Sequence, residues 1–510
     1  MGLDRVRINK RRIKNIKARR DLKRKRSRKK APRVVNDDRV KFLQFLKDRN
    51  KEEWVVSCKK SVDWFLSFIE KKEWKRRKLE LVKYFSKQQR SQFQDVKNSM
   101  DIEDEKARVA FYEDWIAWYL YLIESIYLRP YVDEPSQSAR VYPFFAVIGR
   151  NIELAKNIGG INHKVQQLMN GKENQPDSVL FEIVVAIMYL RNGWKVKFVP
   201  ESSRCKTPDL LVERAGDKLY VECKRQSKVT EYSEKERASW RKRWSNLLPL
   251  LVAHNKSIFL DVVFKEDVEK TEENILVDIF SDIFRRNLLL GKDVYLERDN
   301  LILSAKYIDM NKVKQHFDRF QVRWNSPQMI SLFSGGYDSS AGYTYVCSPT
   351  EMFEGGIADD ESILNLFCGG VDVAYCAKWE CISEGSIDKK AKDVRKLLGK
   401  AVDQAPENIP TIIHIGYETL HGPLVEYLRA NKIYTSINSF DYKNKNIKAV
   451  YCHAIQSVSK VDGFECAETT MRFGRGHTLP ESILKHDLLF DDPSAIKSND
   501  THWNQDLTGI

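Results

Sequence analysis

The sequence predicts an α/β protein with a helical N-terminal domain, an α/β core and a C-terminal α/β domain. Three observations carry this. Between residues 39 and 165 aromatic and aliphatic side chains recur at three- and four-residue steps, the period of a helix with one buried face. From 178 to 264 the pattern becomes a helix, three short alternating runs, a charged helix and an apolar run. Beyond Lys270 helical and strand-like stretches alternate again. A chain of 510 residues exceeds one hydrophobic core. The expected divisions are a basic arm at 1–33, a helical domain at 34–165, a core at 166–270 and the C-terminal domain at 271–510.

The arm is defined by charge. Residues 1–33 hold 17 of the 86 Lys and Arg but only Asp4 and Asp21 of the 71 acids, so the remaining 69 bases and 69 acids balance. The whole net charge of +15 therefore sits in one tail. The run Lys23, Arg24, Lys25, Arg26, Arg28, Lys29, Lys30 has Ser27 as its only neutral member and cannot bury a core. It is expected to bind phosphate backbones, where each neutralised phosphate releases counterions.

In the helical domain Trp54, Trp64, Phe68, Phe111, Trp115, Trp118, Tyr119 and Leu122 form core stripes. Next, Asp177 or Ser178 caps a helix that Gly193 stops near Asn192. Strands are expected at 194–200, 208–213 and 219–224, with Ala-Gly-Asp turning the last two into a hairpin. A helix at 233–254 and a strand at 257–264 follow. After them come a helix at 272–290, short strands near Val294 and Leu301, and a loop-rich section to Leu364. A helix at 388–404, a strand at 411–417, a helix at 423–432 and strands near Ile433 and at 447–457 complete the second α/β unit. The segment from Pro480 to the last residue, polar and holding Pro480 and Pro493, reads as a loosely packed tail.

The chemistry is expected between 182 and 224. The helix around Glu182 is apolar on every side, so it is buried all round, and a buried carboxylate needs a cation or an ion-pair partner. Asp209 follows Pro208 at the entry of a strand. In Leu219-Tyr220-Val221-Glu222-Cys223-Lys224 the side chains alternate, so Glu222 and Lys224 share one face while Val221 and Cys223 share the other. Asp209 and Glu222 on adjacent strands, with the Cys223 carbonyl nearby, are hard oxygen ligands of the kind Mg2+ requires. Lys224 is placed to orient or deprotonate a water, with its pKa held in check by burial and the cation.

Pro208-Asp209, twelve residues, then Glu222-Cys223-Lys224 resembles the signature of the PD-(D/E)xK, or restriction-endonuclease-like, nucleases. Glu182 is similar to the acid on that superfamily's first helix, and the element order from 178 to 264 resembles its αβββαβ core. The resemblance covers about 90 residues. It implies phosphodiester hydrolysis, usually of DNA, with Mg2+ or Mn2+, and Glu182, Asp209, Glu222 and Lys224 as catalytic residues. Asp209, Glu222, Cys223 and Glu182 would be the metal ligands. On the following helix Arg237, Arg241, Lys242 and Arg243 face solvent or phosphate while Trp240 and Trp244 pack inward; Arg237 and Arg241 are carried forward as nucleic-acid contacts.

Two rivals remain. One is a non-catalytic nucleic-acid-binding or assembly protein on the same scaffold. The other is an adenylating enzyme, because Ser334-Gly335-Gly336-Tyr337-Asp338-Ser339 resembles the loop of the ATP pyrophosphatases; that loop must open a helix, and the residues after it favour a strand. His414 and Glu418 are readable as an acid–base pair, but a satisfied polar contact is the expectation. The nine cysteines contain no C-x-x-C pair, which argues against a zinc ribbon and a disulfide framework; Cys368, Cys376, Cys381 and the pair Cys452-His453 fit no closed metal site. No apolar run is long enough to span a bilayer, so a cytoplasmic location is expected, nucleoid-associated in a bacterium. The C-terminal domain is read as a recognition or assembly element that offers a surface for a homo-oligomer or a protein partner, in a mobile-element, defence or repair setting.

Overall fold

A computed structural model describes residues 41, 44–45, 47–98, 112–129, 134–171, 176–200, 207–226, 231–338, 340–355, 363, 365–459 and 464–508. The chain divides into two units, Met1–Glu52 and Glu53–Ile510. In the first, Asp48 accepts hydrogen bonds from Gln44 and Lys51 at 2.8 and 3.0 Å. The basic run from Lys23 to Lys30 lies outside the described residues.

The second unit begins with four helices: α1 (Glu53–Leu66), α2 (Lys71–Asn98), α3 (Trp115–Leu128) and α4 (Pro135–Arg150). Trp64, Trp118, Tyr119 and Leu122 are buried as their spacing predicts, whereas Phe111 is outside the described residues. α1 crosses α4 at Gly149, where an added Cβ would sit 1.7 Å from the Ser57 carbonyl oxygen, so only glycine permits the approach. Buried ion pairs brace the bundle: Arg77 Nε donates to Asp114 at 2.6 Å and Lys78 pairs with Glu124. These helices share one core with α5 (Ile161–Asn170), α6 (Pro176–Arg191) and the first sheet, so the expected boundary at 165 separates no core.

Gly193, at φ +78, ends α6, and β1 (Lys195–Phe198), β2 (Leu210–Arg214) and β3 (Asp217–Arg225) follow as an antiparallel meander. Ala215 and Gly216 take positive φ of 51 and 93, the two-residue turn whose twist suits a hairpin. To this point the elements agree with the sequence.

The next strand does not. β4 (Ile258–Phe264) was expected to complete the core of 166–270, but it belongs to a different sheet. Its residues are apolar on both sides. Ile258, Leu260, Val262 and Phe264 pack toward α7 (Glu231–His254) and α8 (Ile275–Arg285). Phe259 packs toward α9 (Met310–Phe317) and α10 (Pro327–Ser334). A strand covered on both faces belongs inside a sheet, and β4 lies between β6 (Leu301–Tyr307) and β9 (Asn365–Cys381) in the order β5-β6-β4-β9-β7, with β8 (Gly342–Gly355) also on β9. Here β5 is Val294–Glu297 and β7 is Val322–Arg323. The section expected to be loop-rich up to Leu364 thus contains α9, β7, α10 and β8.

The first sheet is completed from much later in the chain. β3 pairs in parallel with β10 (Thr411–Glu418), Glu222 lying opposite Ile413 and Lys224 opposite Ile415. The order is β1-β2-β3-β10-β11-β12, with β11 at Ile447–Ser459 and β12 at Phe464–Gly474. The parallel steps require crossovers, and α11 (Glu384–Gln404) and α12 (Pro423–Asn438) supply them on the face opposite α6. Residues 271–510 are therefore no separate domain. Their β9 shares a sheet with β4, and their β10 shares a sheet with β3. Ile433, expected in a strand, is buried within α12, and the final segment is anchored by buried Ile483, Leu484, Leu489 and Trp503.

Candidate functional site

The hairpin brings two of the predicted acids and the lysine together toward the carboxyl-terminal end of β3, and Glu182, on the helix over the other face of the sheet, lies within electrostatic reach of them. The Cys223 amide donates to Asp209 Oδ2 at 2.7 Å, and the Asp209 main chain bonds Val221 and Val199, so this carboxylate is fixed against the hairpin. Leu210 pairs with Val221, which places Asp209 one step beyond, across from Glu222 and on its face of the sheet. Glu222 is fully buried, and its Oε1 accepts a hydrogen bond from Lys224 Nζ. Its Oε2 has no hydrogen-bond partner among the described residues. Val221 and Cys223 point into the core beneath α6; burial first, and then the charges of Asp209, Glu182 and Glu222, raise the Cys223 thiol well above the usual range, which leaves its main chain as the hard-ligand group.

Glu182 is buried on α6, and Lys164 of α5 stands 2.7 Å from its Oε2. Burial, and next the negative charge of Asp209, push Glu182 up to about 7. The same causes in the same order push Glu222 up to about 8. Glu182 and Lys224 also feel each other. Glu182 is thus influenced by Asp209 and Lys224 as well as by Lys164, and burial with the shared negative charge disfavours ionisation of both glutamates. Lys224 departs from expectation. Burial pulls its pKa down, but Glu222 and Asp209 outweigh it and the net shift is upward, so it is an ammonium donor and not a ready base.

Lys164 was not foreseen. It lies between Ile161 and Leu168 on the buried stripe of α5, and a cation on an apolar stripe was its only trace in the sequence. Gly160, at φ +83, starts α5, and the preceding Gly159 bonds β1 at both its amide and its carbonyl, which brings Lys164 to 5.7 Å from the Phe198 ring.

A buried charge network stands behind the strand ends. Glu418 accepts from Arg140 Nε at 2.5 Å and from Arg225 at 2.8 Å, and Arg140 also pairs with Asp177 at 2.9 Å. Glu418 is therefore no partner of His414. Instead a chain runs Tyr189 hydroxyl to His414 Nε2, His414 Nδ1 to His453 Nε2, and His453 Nδ1 to Glu468, each step 3.0 Å. Glu468 accepts the amides of Leu489 and Phe490, tying down the C-terminal segment. The chain was overlooked although His414 and His453 interrupt otherwise apolar strands.

Arg237 and Arg241 lie on α7, which covers the second sheet and not the one that carries Asp209 and Glu222. Trp240 and Trp244 are buried as expected, but Arg243 is buried too, donating to the Ser239 and Thr271 carbonyls. The Ser334–Ser339 loop joins a helix, α10, to a strand, β8, the reverse of what a phosphate loop requires; Asp338 is engaged by Lys378 at 3.3 Å and by Ser340, and Ser339 is outside the described residues.

Among the described residues no three His, Cys, Asp or Glu form a metal-holding group, and no helix is long and apolar enough to cross a membrane. No protein-family model, curated protein or solved structure matches this chain.

Proposed function

We propose that the chain is a divalent-metal-dependent nuclease that hydrolyses phosphodiester bonds, with DNA its first substrate, on a restriction-endonuclease-like core. The observation that carries this is Asp209 and Glu222 on one face of one hairpin, with Glu182 in electrostatic reach and Lys224 bonded to Glu222. The order α6, β1, β2, β3, α11, β10 supports the fold assignment, with residues 231–381 inserted between β3 and α11.

The donor set suits Mg2+ or Mn2+: hard oxygens, that of Glu222 Oε2 buried without a hydrogen-bond partner among the described residues, and two carboxyls whose pKa values burial raises in the absence of a cation. Asp209, Glu222 and the Cys223 carbonyl would hold the ion, with Glu182 completing the set. When bound, the ion supplies Lewis-acid polarisation of the phosphate and a water of lowered pKa. Asp209 arrives already oriented by the Cys223 amide. Lys224, charged and a donor, orients the attacking water or binds a phosphate oxygen, and Lys164 yields Glu182 to the site.

Incubation with single- and double-stranded DNA and RNA, with Mg2+ or Mn2+ and with chelator, tests this. Metal-dependent cleavage lost in Asp209→Ala and Lys224→Ala is expected; cleavage surviving both substitutions refutes it. One observation favours the scaffold reading instead: both glutamates are held by lysines and no metal-holding group is formed among the described residues. Tight binding without cleavage in either metal would select that reading.

A further inference from the structure

We infer that the exposed face of α2 is a second nucleic-acid contact, one that tracks the phosphate backbone apart from the basic arm. The inference rests on the nucleic-acid reading above and specifies where the substrate's flank would lie.

Outside the arm the chain is neutral in total, but its charge is not evenly spread. Residues 71–90 contain nine Lys and Arg against Glu73 and Glu80, a net of +7. Both acids are taken up by Arg76, at 2.7 Å each. Arg77 and Lys78 are buried against Asp114 and Glu124, and Arg90 stands 3.9 Å from Glu354. Five cations are left: Lys71, Lys72, Lys75, Lys83 and Lys87 are exposed and make no ion pair among the described residues. An ordinary solvated helix face mixes signs and laces them at i, i+4 spacing; this face keeps its acids on a single arginine and presents the lysines bare.

Their spacing suits an extended polyanion. Lys71 and Lys75, then Lys83 and Lys87, are i, i+4 pairs, and each such step advances about 6 Å along the axis. Lys72, Lys83 and Lys87 fall within about 60° of one another around the axis, with Lys75 to one side, and from Lys72 to Lys87 they extend about 22 Å, a length over which one strand of a duplex presents about six to seven phosphates. The far side of the helix from Lys72, Lys83 and Lys87 is anchored by Leu81 in the core and by the buried Arg77–Asp114 and Lys78–Glu124 pairs, so the lysines are held on a rigid element.

The test is the salt dependence of binding to a duplex of about 30 base pairs, measured by fluorescence anisotropy on the full chain in chelator so that the probe stays intact. Each phosphate contact contributes about 0.9 to the slope of log K against log salt. Combining Lys72→Gln, Lys75→Gln, Lys83→Gln and Lys87→Gln is expected to lower the slope by about 2 to 4, and the matching four Lys→Arg changes to leave it unaltered. An unchanged slope in the Gln variant overturns the inference, whether or not the parent cuts DNA. A parent that binds no nucleic acid overturns the nucleic-acid reading itself, and this inference with it.

Discussion

Lowering the pH should weaken divalent-metal binding at the hairpin by roughly two to three orders of magnitude between pH 8 and pH 6. In the metal-free protein Glu182 is pushed up to about 7 and Glu222 up to about 8, by burial first and by Asp209 second. Each must lose a proton to become a ligand, so affinity falls tenfold per pH unit below its pKa. Over this interval Glu222 contributes up to about a hundredfold and Glu182 about tenfold. The sign for stability follows from the same shifts. Unfolded glutamates ionise near 4.5, so between 4.5 and about 8 the native state binds more protons than the unfolded one. The metal-free protein therefore loses stability as pH rises through that window, and saturating Mn2+ restores it. Titration calorimetry with Mn2+ at pH 6 and pH 8, paired with thermal melts at both, measures each part. Equal affinity at the two pH values, or melting that Mn2+ leaves untouched at pH 8, refutes the placement of these acids around a cation.

Lys164→Met should lower the metal-free Tm by several degrees, as expected for losing a cation beside a buried acid, and saturating Mn2+ should recover most of the loss; a deficit that persists in metal would remove Glu182 from the ligand set. Gly149→Ala should cost about 3 kcal/mol or more in urea unfolding, because the new Cβ meets main-chain atoms of Ser57 that no rotamer change can move, and a cost below about 1 kcal/mol would show that α1 and α4 separate freely. Glu468→Ala should leave the Leu489 and Phe490 amides without their acceptor and His453 Nδ1 with Thr470 alone, and proteolysis of the C-terminal segment should accelerate ahead of global unfolding; equal cleavage rates in parent and variant would show that the segment is held by its apolar anchors alone.

Local structure in this chain was legible wherever local rules decide it. Gly193 at the helix end, the Ala215-Gly216 turn and the alternation through Tyr220, Glu222 and Lys224 placed α6 and the hairpin within a few residues, and with them Asp209 opposite Glu222; Asp177 and Ser178, expected as caps, lie inside α6, where Asp177 pairs with Arg140. Sheet membership was not legible. β4 has the apolar pattern of any buried strand, and nothing within Ile258–Phe264 says whether β3 or β9 lies beside it, because pairing between distant strands is set by the whole packing. The second half of the core was misplaced for that reason. Lys164 escaped notice because it stands outside the spacing motif, and Arg243 because burial of its guanidinium depends on the Thr271 carbonyl, 28 residues on.

The inserted sheet has a consequence for how the molecule comes into being. β3 has β2 on one side at once but finds its second neighbour only at β10, so Tyr220 waits for Thr411, 191 residues later. At usual rates of translation that interval is about 10 to 40 s, during which the strand bearing Glu222 and Lys224 is an open edge. A ribosome-bound chain thus carries the hairpin long before it can carry the finished sheet. The completed sheet arrives late in synthesis, and a truncated product ending before residue 411 would hold Asp209, Glu222 and Lys224 without the strand that encloses them.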